Sequence, residues 1–274
     1  MMPDLLIHSM SEFADIIVEA LDLAGARDIV EIGAEYGGMT AVLAARAAAD
    51  GGSLTTIDPA PKPEFRQWLA TQPQVSHLAQ PSLAVLPDLH AADAWLIDGD
   101  HNWFTVYHEL SAIEAVCRAA GKPMFAILHD VEWPSGRRDM YYAPDSIPPE
   151  FRHPHSFEAG AWPDHDALVA GRGFRGAGHF AWATHEGGPR NGVLTAVEDF
   201  LEQAASQGRG YAYAQIPAVF GLGVIIPADA PWGEKVAEFL LPYHENALLR
   251  SLERNRLANY LTVLDIQDRG SLAA

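Results

Sequence analysis

The feature that most constrains the fold is a glycine-punctuated turn between two apolar segments. Residues 29–32 (Ile-Val-Glu-Ile) predict a buried parallel strand, and residues 33–38 read Gly-Ala-Glu-Tyr-Gly-Gly. An alanine-rich helix is expected over about 39–49, and a second apolar segment ends at Asp58, about 25 residues after the first glycine. This order is typical of a βαβ unit for nucleotide-type ligands, in which the terminal carboxylate accepts hydrogen bonds from ribose hydroxyls.

The residues of the turn discriminate between the ligands that such a unit can bind. A dinucleotide site has the pattern G-x-G-x-x-G, whose middle glycine lets the backbone approach the pyrophosphate. Glu35 occupies that middle position here, and its carboxylate would repel a pyrophosphate. S-adenosylmethionine carries a positive sulfonium and an ammonium group, so Glu31 and Glu35 are compatible with it. An ordinary strand-to-helix turn without a ligand is the alternative.

Composition bounds the class of protein. The chain has 274 residues with 49% hydrophobic content, enough for one large α/β domain over residues 1–274. No apolar run reaches the roughly 18 residues of a membrane span. Residues 1–19 mix acidic and apolar side chains and lack the basic start of a secretory signal. A single cysteine, Cys117, excludes an internal disulfide and is expected to be a packing residue. These features predict a cytoplasmic protein.

The charge balance narrows the choice of partner. The formal net charge is −18, which disfavours binding to nucleic acid or to an anionic membrane, where neutralised phosphates supply much of the affinity. The predicted partner is therefore a small-molecule acceptor. The sequence leaves open whether the protein forms a homo-oligomer, because an apolar stripe near the carboxyl end belongs either to the core or to a dimer contact. The stripe consists of Leu248, Leu249, Leu252, Leu257 and Leu261.

Strands and helices alternate through the first half of the chain. Helices are expected over 11–24, 59–72, from about 81, and over 104–120, where Gly121 ends the helix; strands are expected over 75–79, 94–97 and 124–128. Further on, we expect a helix over 193–205, strands over 211–216 and 219–226, and helices over 232–241 and 245 to about 263. The short link at Pro217 allows an antiparallel pair. The sequence thus predicts a Rossmann-like, doubly wound, seven-stranded sheet whose last strand is antiparallel.

Residues 132–192 interrupt this alternation. They are rich in proline, glycine, histidine and aromatic residues and show little periodicity. A long loop-rich segment inside a compact chain is usually functional, so we predict a substrate cap inserted beside the ligand crevice. A surface insertion or an oligomer contact is the alternative.

Polar residues follow two of the predicted strands. One strand ends in Asp98-Gly99-Asp100-His101, and the next in His129-Asp130. Neighbouring strands lie about 4.8 Å apart, so Asp98 and Asp130 would reach one small volume and suit a divalent cation. A ligand role for His129 would favour Mn²⁺ or Fe²⁺ over Mg²⁺.

His101 is the predicted general base, because a histidine pKa lies near neutrality. Asp100 is more simply explained as a turn residue. A buried histidine bonded to backbone is the alternative for His129.

Together these residues resemble a known family. Glu31, Gly33 and Gly37 form a pattern similar to motif I of class I S-adenosylmethionine-dependent methyltransferases. With the D-G-D-H turn and the later H-D pair, residues from about 28 to 131 resemble the methyltransferase 24 group. That group is similar in its core to metal-dependent sugar O-methyltransferases of macrolide biosynthesis.

The resemblance implies roles for particular residues. Asp98 corresponds to a metal ligand and His101 to the base, while His129-Asp130 stands where the sugar enzymes have two adjacent acidic residues. Ser82 falls near the expected adenine position, and Glu35 replaces the glycine commonest in motif I. The implied cofactor-binding set is Glu31, Gly33, Glu35, Gly37, Asp58, Ser82 and Asp98, and the implied metal set is Asp98, His129 and Asp130.

The start of the cap supplies candidates for substrate binding. Aromatic faces with paired arginines can hold a sugar ring or a planar acceptor, and arginine can bind a carboxylate or phosphate. The predicted residues are Trp133, Arg137, Arg138, Tyr141 and Tyr142. The alternative is that the cap arginines pair with Asp139, Asp145, Glu150 and Glu158.

The sequence thus predicts an S-adenosylmethionine-dependent methyltransferase, with Mg²⁺ or Mn²⁺ as a second cofactor. The expected reaction is O-methylation of a small hydroxylated metabolite, such as a sugar or natural product. Two alternatives stay open: a metal-dependent, hydroxylase-like oxidoreductase on the same core, and a non-catalytic protein that binds an adenosyl ligand.

Overall fold

A computed structural model describes residues 5–272, with side chains up to residue 269. The first four residues of the N-terminal stretch considered above lie outside the described residues. Among the helices of the described part, none combines the length and the apolar character that a membrane crossing requires.

The first half of the chain has the predicted alternation. Its elements are α1 Ala14–Ala24, β1 Asp28–Ile32, α2 Gly38–Asp50, β2 Ser53–Ile57, α3 Pro63–Leu69, β3 Val75–Leu78, α4 Ser82–Val85, β4 Ala94–Ile97, α5 Trp103–Ala119 and β5 Ala126–His129. The helix expected from residue 11 begins as a 3-10 turn over Met10–Phe13, before α1. Element types are as predicted, and the bounds differ by a few residues.

The second half contains the cap and the end of the sheet. Its elements are β6 Met140–Tyr141, β7 His155–Ser156, β8 Ala159–Gly160, β9 Val169–Ala170, β10 Ala181–Ala183, α6 Val193–Ser206, β11 Tyr211–Ile216, β12 Leu222–Pro227, α7 Gly233–Leu240 and α8 Ala247–Leu272. The last helix runs past the predicted end near 263, because no glycine or proline interrupts it before residue 270.

The main sheet has seven strands in the order β11-β12-β5-β4-β1-β2-β3. Strand β12 runs antiparallel to both of its neighbours, and the other pairs are parallel. This confirms the predicted Rossmann-like sheet with an antiparallel last strand. Ile32 pairs with Ile97, which pairs with Leu128. The carboxyl ends of β1, β4 and β5 therefore lie level at one edge.

The central strands are buried on both faces, as parallel strands covered by helices usually are. Val30, Ile32 and Ile97 pack with α5 and α6. Ile29 and Leu96, on the opposite face, pack with α1, α2 and α7. Cys117 is 1% exposed within the first of these clusters, which confirms it as a packing residue. Each large apolar side chain contributes roughly 1.5–3 kcal/mol by such burial, so the two layers hold the sheet edge rigidly.

The cap contains more regular structure than its sequence indicated. Strands β6, β10 and β7 form a three-stranded sheet, and β8 and β9 form a second pair. Each strand has only two or three residues, too few to leave a periodic pattern. Met140, Ala161 and Trp182 give the cap an apolar cluster of its own. The role of this segment in substrate binding stays a prediction.

The apolar stripe of α8 is divided between the interior and the surface. Leu257 and Leu261 are 5% and 2% exposed and belong to the core, whereas Leu248 and Leu252 are exposed. Leu249 packs partly against the cluster of α1 and α7.

Candidate active site

The glycine turn lies directly against the end of β4. Gly33 has a φ of 85°, and a Cβ built on it would lie 2.1 Å from the carbonyl oxygen of Asp98. Any side chain here would therefore push the two strand ends apart, and a positive φ is itself accessible to glycine at no steric cost. This close approach brings the turn and the D-G-D-H segment to one place.

Asp58 closes the turn from the end of β2. Its Oδ2 accepts from the backbone N–H groups of Ala34 (3.2 Å) and Glu35 (2.9 Å), and its Oδ1 accepts from Ala60 at 2.8 Å. Glu35 has a φ of 44°, so the chain keeps a glycine-like conformation where motif I commonly has glycine. The carboxylate of Asp58 thus holds the turn, and its predicted bond to a ribose stays a prediction.

Glu31 lies beneath the turn. Its side chain is 2% exposed and accepts a hydrogen bond from Thr40 Oγ1 at 2.6 Å. Burial raises the pKa of Glu31 to about 8. The residue braces α2 against β1, and a direct contact with a cofactor stays a prediction. Gly37 is packed just as tightly, since a Cβ there would lie 2.5 Å from the ring of Phe65.

A cluster of two carboxylates and two imidazoles occupies the level ends of β4 and β5. His101 Nε2 lies 2.9 Å from Asp130 Oδ2 and 3.4 Å from Asp98 Oδ1. His129 Nδ1 lies 3.2 Å from Asp98 Oδ1 and 3.3 Å from Asp130 Oδ2. The structure thus brings together the four residues that the sequence singled out at these strand ends.

The other nitrogen of His129 fixes how that ring faces the carboxylates. Nε2 lies 2.8 Å from the carbonyl oxygen of Val219, which can only accept. Nε2 therefore carries a proton, and Nδ1 is the atom directed at Asp98 and Asp130. A lone pair facing two carboxylates would be repelled, so a positive charge has to lie between them, either a proton on Nδ1 or a cation.

Backbone strain is concentrated around this cluster. Asp130 has a φ of 61°, and Val219 and Phe220, in the link before β12, have φ values of 45° and 65°. A positive φ is a genuine outlier for a β-branched residue such as Val219, and strain of this kind is typical of functional sites. Here the strained link places the Val219 carbonyl against His129.

His101 is held as a cation in this arrangement. Burial alone would lower its pKa, but the charges and hydrogen bonds of Asp130 and Asp98 outweigh burial and raise the pKa to about 10. The same contacts, with those of His129, hold the pKa values of Asp98 and Asp130 below their usual range against the effect of burial. His101 can act as a base only where another positive charge compensates the two carboxylates.

The donor set fits a divalent cation. One ligand atom each from Asp98, His129 and Asp130 lies within 4.8 Å of the others. Two carboxylate oxygens and one imidazole nitrogen suit Mn²⁺ better than Mg²⁺, which prefers oxygen alone. The bond from His129 to Val219 is the kind of outer contact that orients a metal-binding histidine.

Glu109 is a polar residue that the sequence analysis missed. It is fully buried on α5, and its Oε1 accepts a 2.5 Å hydrogen bond from Ser82, the predicted adenine neighbour. Burial raises the pKa of Glu109 to about 8. Its burial could have been predicted from the sequence, because the helical spacing puts Glu109 on the same apolar face of α5 as Val106, Leu110 and Ile113.

Asp100 behaves as the turn residue that the sequence suggested. Its Oδ2 accepts from Thr105 Oγ1 at 3.3 Å, and burial raises its pKa. Asp100 therefore helps to begin α5 and lies apart from the donor set.

Four of the five predicted substrate residues have partners within the cap or on α6, and their role in substrate binding stays a prediction. Arg138 is fully buried and donates to the carbonyls of Ala183 (2.7 Å) and Asp166 (2.8 Å). Tyr141 is 1% exposed and donates to Asp139 Oδ2 at 2.7 Å. All of these partners belong to the cap itself, so both side chains have a structural role there.

Arg137 and Trp133 also have partners in the structure. Arg137 donates to Glu198 on α6 at 2.7 Å, and Trp133 packs beside Phe174 with ring centroids 6.1 Å apart. Tyr142 lies at the cluster, with its ring centroid 6.1 Å from that of His101.

Most other cap arginines form ion pairs, as the alternative interpretation held, but mainly with different partners. Arg152 pairs with Asp145 at 2.6 Å, as that interpretation allowed. Arg172 and Arg175 instead pair with Asp265 and Asp268 of α8. The cap is therefore attached by charge to the last helix.

The fold and the glycine turn define a class I methyltransferase architecture, and the sequence comparison agrees. Residues 30–131 match the methyltransferase 24 family, described as a methyltransferase domain. The match ends where the cap begins. It confirms the predicted resemblance and, at the level of the domain class, the prediction of a methyltransferase. Its relation to metal-dependent sugar enzymes stays a prediction. No curated protein sequence matches the chain significantly.

Similar solved structures include several methyltransferases. An S-adenosylhomocysteine-bound methyltransferase of Podospora anserina is 14% identical, with a TM-score of 0.49 and coverage of 81% of this chain and 80% of its own. The O-methyltransferase TomG of Streptomyces achromogenes, in complex with S-adenosylmethionine, has 18% identity, a TM-score of 0.45 and coverage of 82% and 83%. An O-methyltransferase of Bacillus cereus has 15% identity, a TM-score of 0.45 and coverage of 81% and 83%.

Proposed function

We propose that the chain is an S-adenosylmethionine-dependent O-methyltransferase that acts on a small hydroxylated acceptor. The observation that carries the proposal is the contact between the two predicted sites. Gly33 of the turn lies against the carbonyl of Asp98, whose side chain belongs to the acid–imidazole cluster. A methyl donor at the turn and a hydroxyl at the cluster would therefore be neighbours, and such positioning supplies much of the rate of a two-reactant transfer.

The residues of the cluster would divide the work. Asp98, His129 and Asp130 would hold Mg²⁺ or Mn²⁺, which when bound makes a nearby hydroxyl easier to deprotonate. His101 Nε2 donates to Asp130 at 2.9 Å, so the other ring nitrogen, Nδ1, which has no hydrogen-bond partner among the described residues, would take the proton of the acceptor hydroxyl. The acceptor oxygen would then form its bond to the methyl carbon as the carbon–sulfur bond breaks. S-adenosylhomocysteine leaves without charge on sulfur, and the proton stays on His101.

S-adenosylmethionine would bind at the glycine turn and at the residues beside it. Gly33, Glu35 and Gly37 would lie along the ligand, with Asp58 at the ribose and Ser82 at the adenine. Acidic residues here would suit a cationic cofactor and oppose a pyrophosphate. The acceptor would be a small metabolite such as a sugar or natural product, and the single cysteine and the net charge of −18 are in keeping with cytoplasmic chemistry away from nucleic acid.

Calorimetric titration tests the cofactor assignment first. We expect S-adenosylhomocysteine to bind with micromolar affinity and NADH not to bind, in the presence of Mn²⁺ or of EDTA. Preference for NADH, or no binding of S-adenosylhomocysteine, would overturn the proposal.

Substitution then tests the roles within the cluster. Asp98→Asn and His101→Gln should each lower methyl transfer by about 10²-fold or more, and His101→Gln should leave S-adenosylhomocysteine binding within a few fold. Asp145→Asn, at an exposed acidic residue of the cap, is the matched control and should be as active as the parent. Unchanged turnover in Asp98→Asn or His101→Gln would refute the assigned roles.

The two rival functions give different results in the same preparations. A hydroxylase-like oxidoreductase would retain iron after purification and consume a reductant. A non-catalytic binder would bind S-adenosylhomocysteine but transfer no methyl group to any acceptor in a screen.

A further inference from the structure

An exposed aromatic pair stands at the edge of the cap sheet. Tyr141 pairs with Ala181 in the antiparallel β6–β10 ladder, so Tyr142 and Phe180 are the next cross-strand neighbours. Their ring centroids lie 6.4 Å apart at an angle of 85°. Phe180 is anchored on Trp182, with centroids 5.3 Å apart, while Tyr142 is 51% exposed. A large aromatic ring left open beside a buried cluster is available to a ligand.

This pair is held in a fixed position relative to the acid–imidazole cluster. The backbone N–H of Met140 donates to the carbonyl of His101 at 2.9 Å, which ties the start of β6 to the D-G-D-H turn. Two residues later, the Tyr142 ring lies 6.1 Å from the His101 ring. A molecule whose hydroxyl reached His101 would therefore place its body against Tyr142.

Several of the charges that act on Tyr142 are carboxylates, although the His101 ring also lies beside it. Partial burial of this half-exposed side chain, then Asp130, Asp98 and Glu35, raise the pKa of the Tyr142 phenol above its usual range. Lys62, after β2, lies over the ring of Tyr36, with its Nζ 5.4 Å from the ring centroid.

The cap arginines that could have paired with an anionic acceptor have other partners. Arg137, Arg152, Arg172 and Arg175 form ion pairs, Arg138 is buried, and Arg190 lies 5.3 Å from the ring centroid of Trp103. Arg190 is exposed, with its guanidinium over the rings of Trp103 and Phe151. The other five arginines would have to give up a partner to receive a carboxylate or phosphate on the acceptor.

We propose that Tyr142 and Phe180 form the acceptor wall of the active site, and that the acceptor is a ring-bearing molecule that is neutral or cationic rather than anionic. The proposal rests on the methyltransferase function above for the reaction itself. It reverses the expectation, drawn from the arginine content of the cap, that a carboxylate or phosphate is recognised. Aromatic faces bind sugar rings, planar rings and cations, and like charges brought together without a partner are repelled.

Three probes with one ring and different charges test the proposal. They are 4-methylcatechol (neutral), dopamine (cationic) and protocatechuate (anionic), titrated by calorimetry into protein saturated with S-adenosylhomocysteine. We expect the neutral and cationic probes to bind at least about tenfold more tightly than the anionic probe at low salt. This ratio of affinities between the neutral or cationic probes and the anionic probe should be larger in EDTA than in Mg²⁺. It should be smaller at high salt, where charges are screened.

Substitution of Tyr142 tests the wall. Tyr142→Ala should weaken binding of 4-methylcatechol by about fivefold to tenfold, and the matched control Tyr142→Phe should stay within about twofold because it keeps the ring. Both variants should melt at the temperature of the parent, since the side chain is exposed. Protocatechuate binding as tightly as 4-methylcatechol, no binding of any probe, or an unchanged affinity in Tyr142→Ala would each overturn the proposal.

Failure of the wall and failure of the methyltransferase function are separable. S-adenosylhomocysteine is titrated into the same preparations, and its binding should be equal in the parent and both Tyr142 variants. If the parent does not bind it, the methyltransferase assignment fails, while the three probes still report on the wall in protein without the cofactor.

Discussion

One hydrogen bond of His129 determines what its other nitrogen can do. Because Nε2 donates to the Val219 carbonyl, only Nδ1 can face Asp98 and Asp130. Those carboxylates outweigh the effect of burial and raise the pKa of His129 above its usual range. A proton and a divalent cation therefore compete for the same position.

This competition predicts that metal affinity depends on pH. We expect Mn²⁺ to bind more tightly as pH rises from 6 to 9, by up to about tenfold per pH unit, because a raised pKa keeps the proton on Nδ1 until higher pH. Calorimetry in two buffers of different ionisation enthalpy would measure both the affinity and the protons released. Affinity that does not change with pH, without proton release, would remove His129 from the donor set.

Glu109 offers a second test at the scale of one residue. Burial raises the pKa of its carboxyl to about 8 in the folded chain. Between its unfolded pKa and about 8, the folded state holds a proton that the unfolded state has lost, so the free energy of unfolding falls as pH rises. Glu109→Gln mimics the protonated form, and it should remove a loss on the order of 2–4 kcal/mol between pH 5 and 8.

Urea unfolding at several pH values measures this effect. The variant should be more stable than the parent at pH 8 and closer to it at pH 5. Glu202→Gln, at an exposed position of α6, is the control and should follow the parent at both pH values. A parent and Glu109→Gln with parallel pH profiles would show that the Glu109 carboxyl is not held protonated.

At the scale of elements, the cap is joined to the sheet through Asp139. Its Oδ1 accepts from the backbone N–H groups of Trp103, at the start of α5, and Gly192, before α6, each at 2.7 Å. Its Oδ2 accepts from the Tyr141 hydroxyl. This fully buried carboxyl thus ties the cap to the first turns of α5 and α6. Its partner Trp103 lies two residues after His101 in the sequence.

Removing this carboxyl should leave three buried donors without a partner. We expect Asp139→Ala to lower the free energy of unfolding by about 3 kcal/mol or more, since each orphaned buried donor costs roughly 1–3 kcal/mol. Asp139→Asn keeps an acceptor oxygen and should lose less. Chemical unfolding of both variants, with Asp145→Asn as the exposed control, measures the difference. If Asp139→Ala lowered the free energy of unfolding no more than Asp145→Asn does, Asp139 would not be what holds the cap to α5 and α6.

The cap is also held by α8. Arg172 and Arg175 reach Asp265 and Asp268 near the end of the chain. Surface ion pairs contribute little each, about 0–1 kcal/mol, but they direct these arginines away from the acid–imidazole cluster. Under the proposed function, we expect the pairs to affect acceptor choice more than stability.

At the scale of the whole molecule, the sequence predicts the sheet well and the cap poorly. Strand ends such as Asp98 and Asp130 can be placed from sequence, because parallel strands in a doubly wound sheet align their carboxyl ends. The partners of Arg172 and Arg175 lie 93 residues away, and no local pattern reveals such pairs. Arg138 and Tyr141 are predicted as ligand residues because aromatic faces with paired arginines can hold a ring or an anion. The burial that makes them structural comes from two-residue strands with no periodic signature.

The excess of negative charge predicts a response of the whole fold to salt. With a net charge of −18, repulsion among acidic residues opposes the compact state at neutral pH. Raising NaCl from about 20 to 300 mM shortens the screening length several-fold and should increase the free energy of unfolding by about 1–3 kcal/mol, despite weaker surface ion pairs. Near the sequence pI of 4.9 the net charge vanishes, so the same salt step should have little effect or a destabilising one.

Urea unfolding at pH 7.5 and near pH 4.9, each at low and high salt, makes the comparison. A loss of stability with salt at pH 7.5 would mean that the ion pairs, including those between the cap and α8, outweigh the net repulsion.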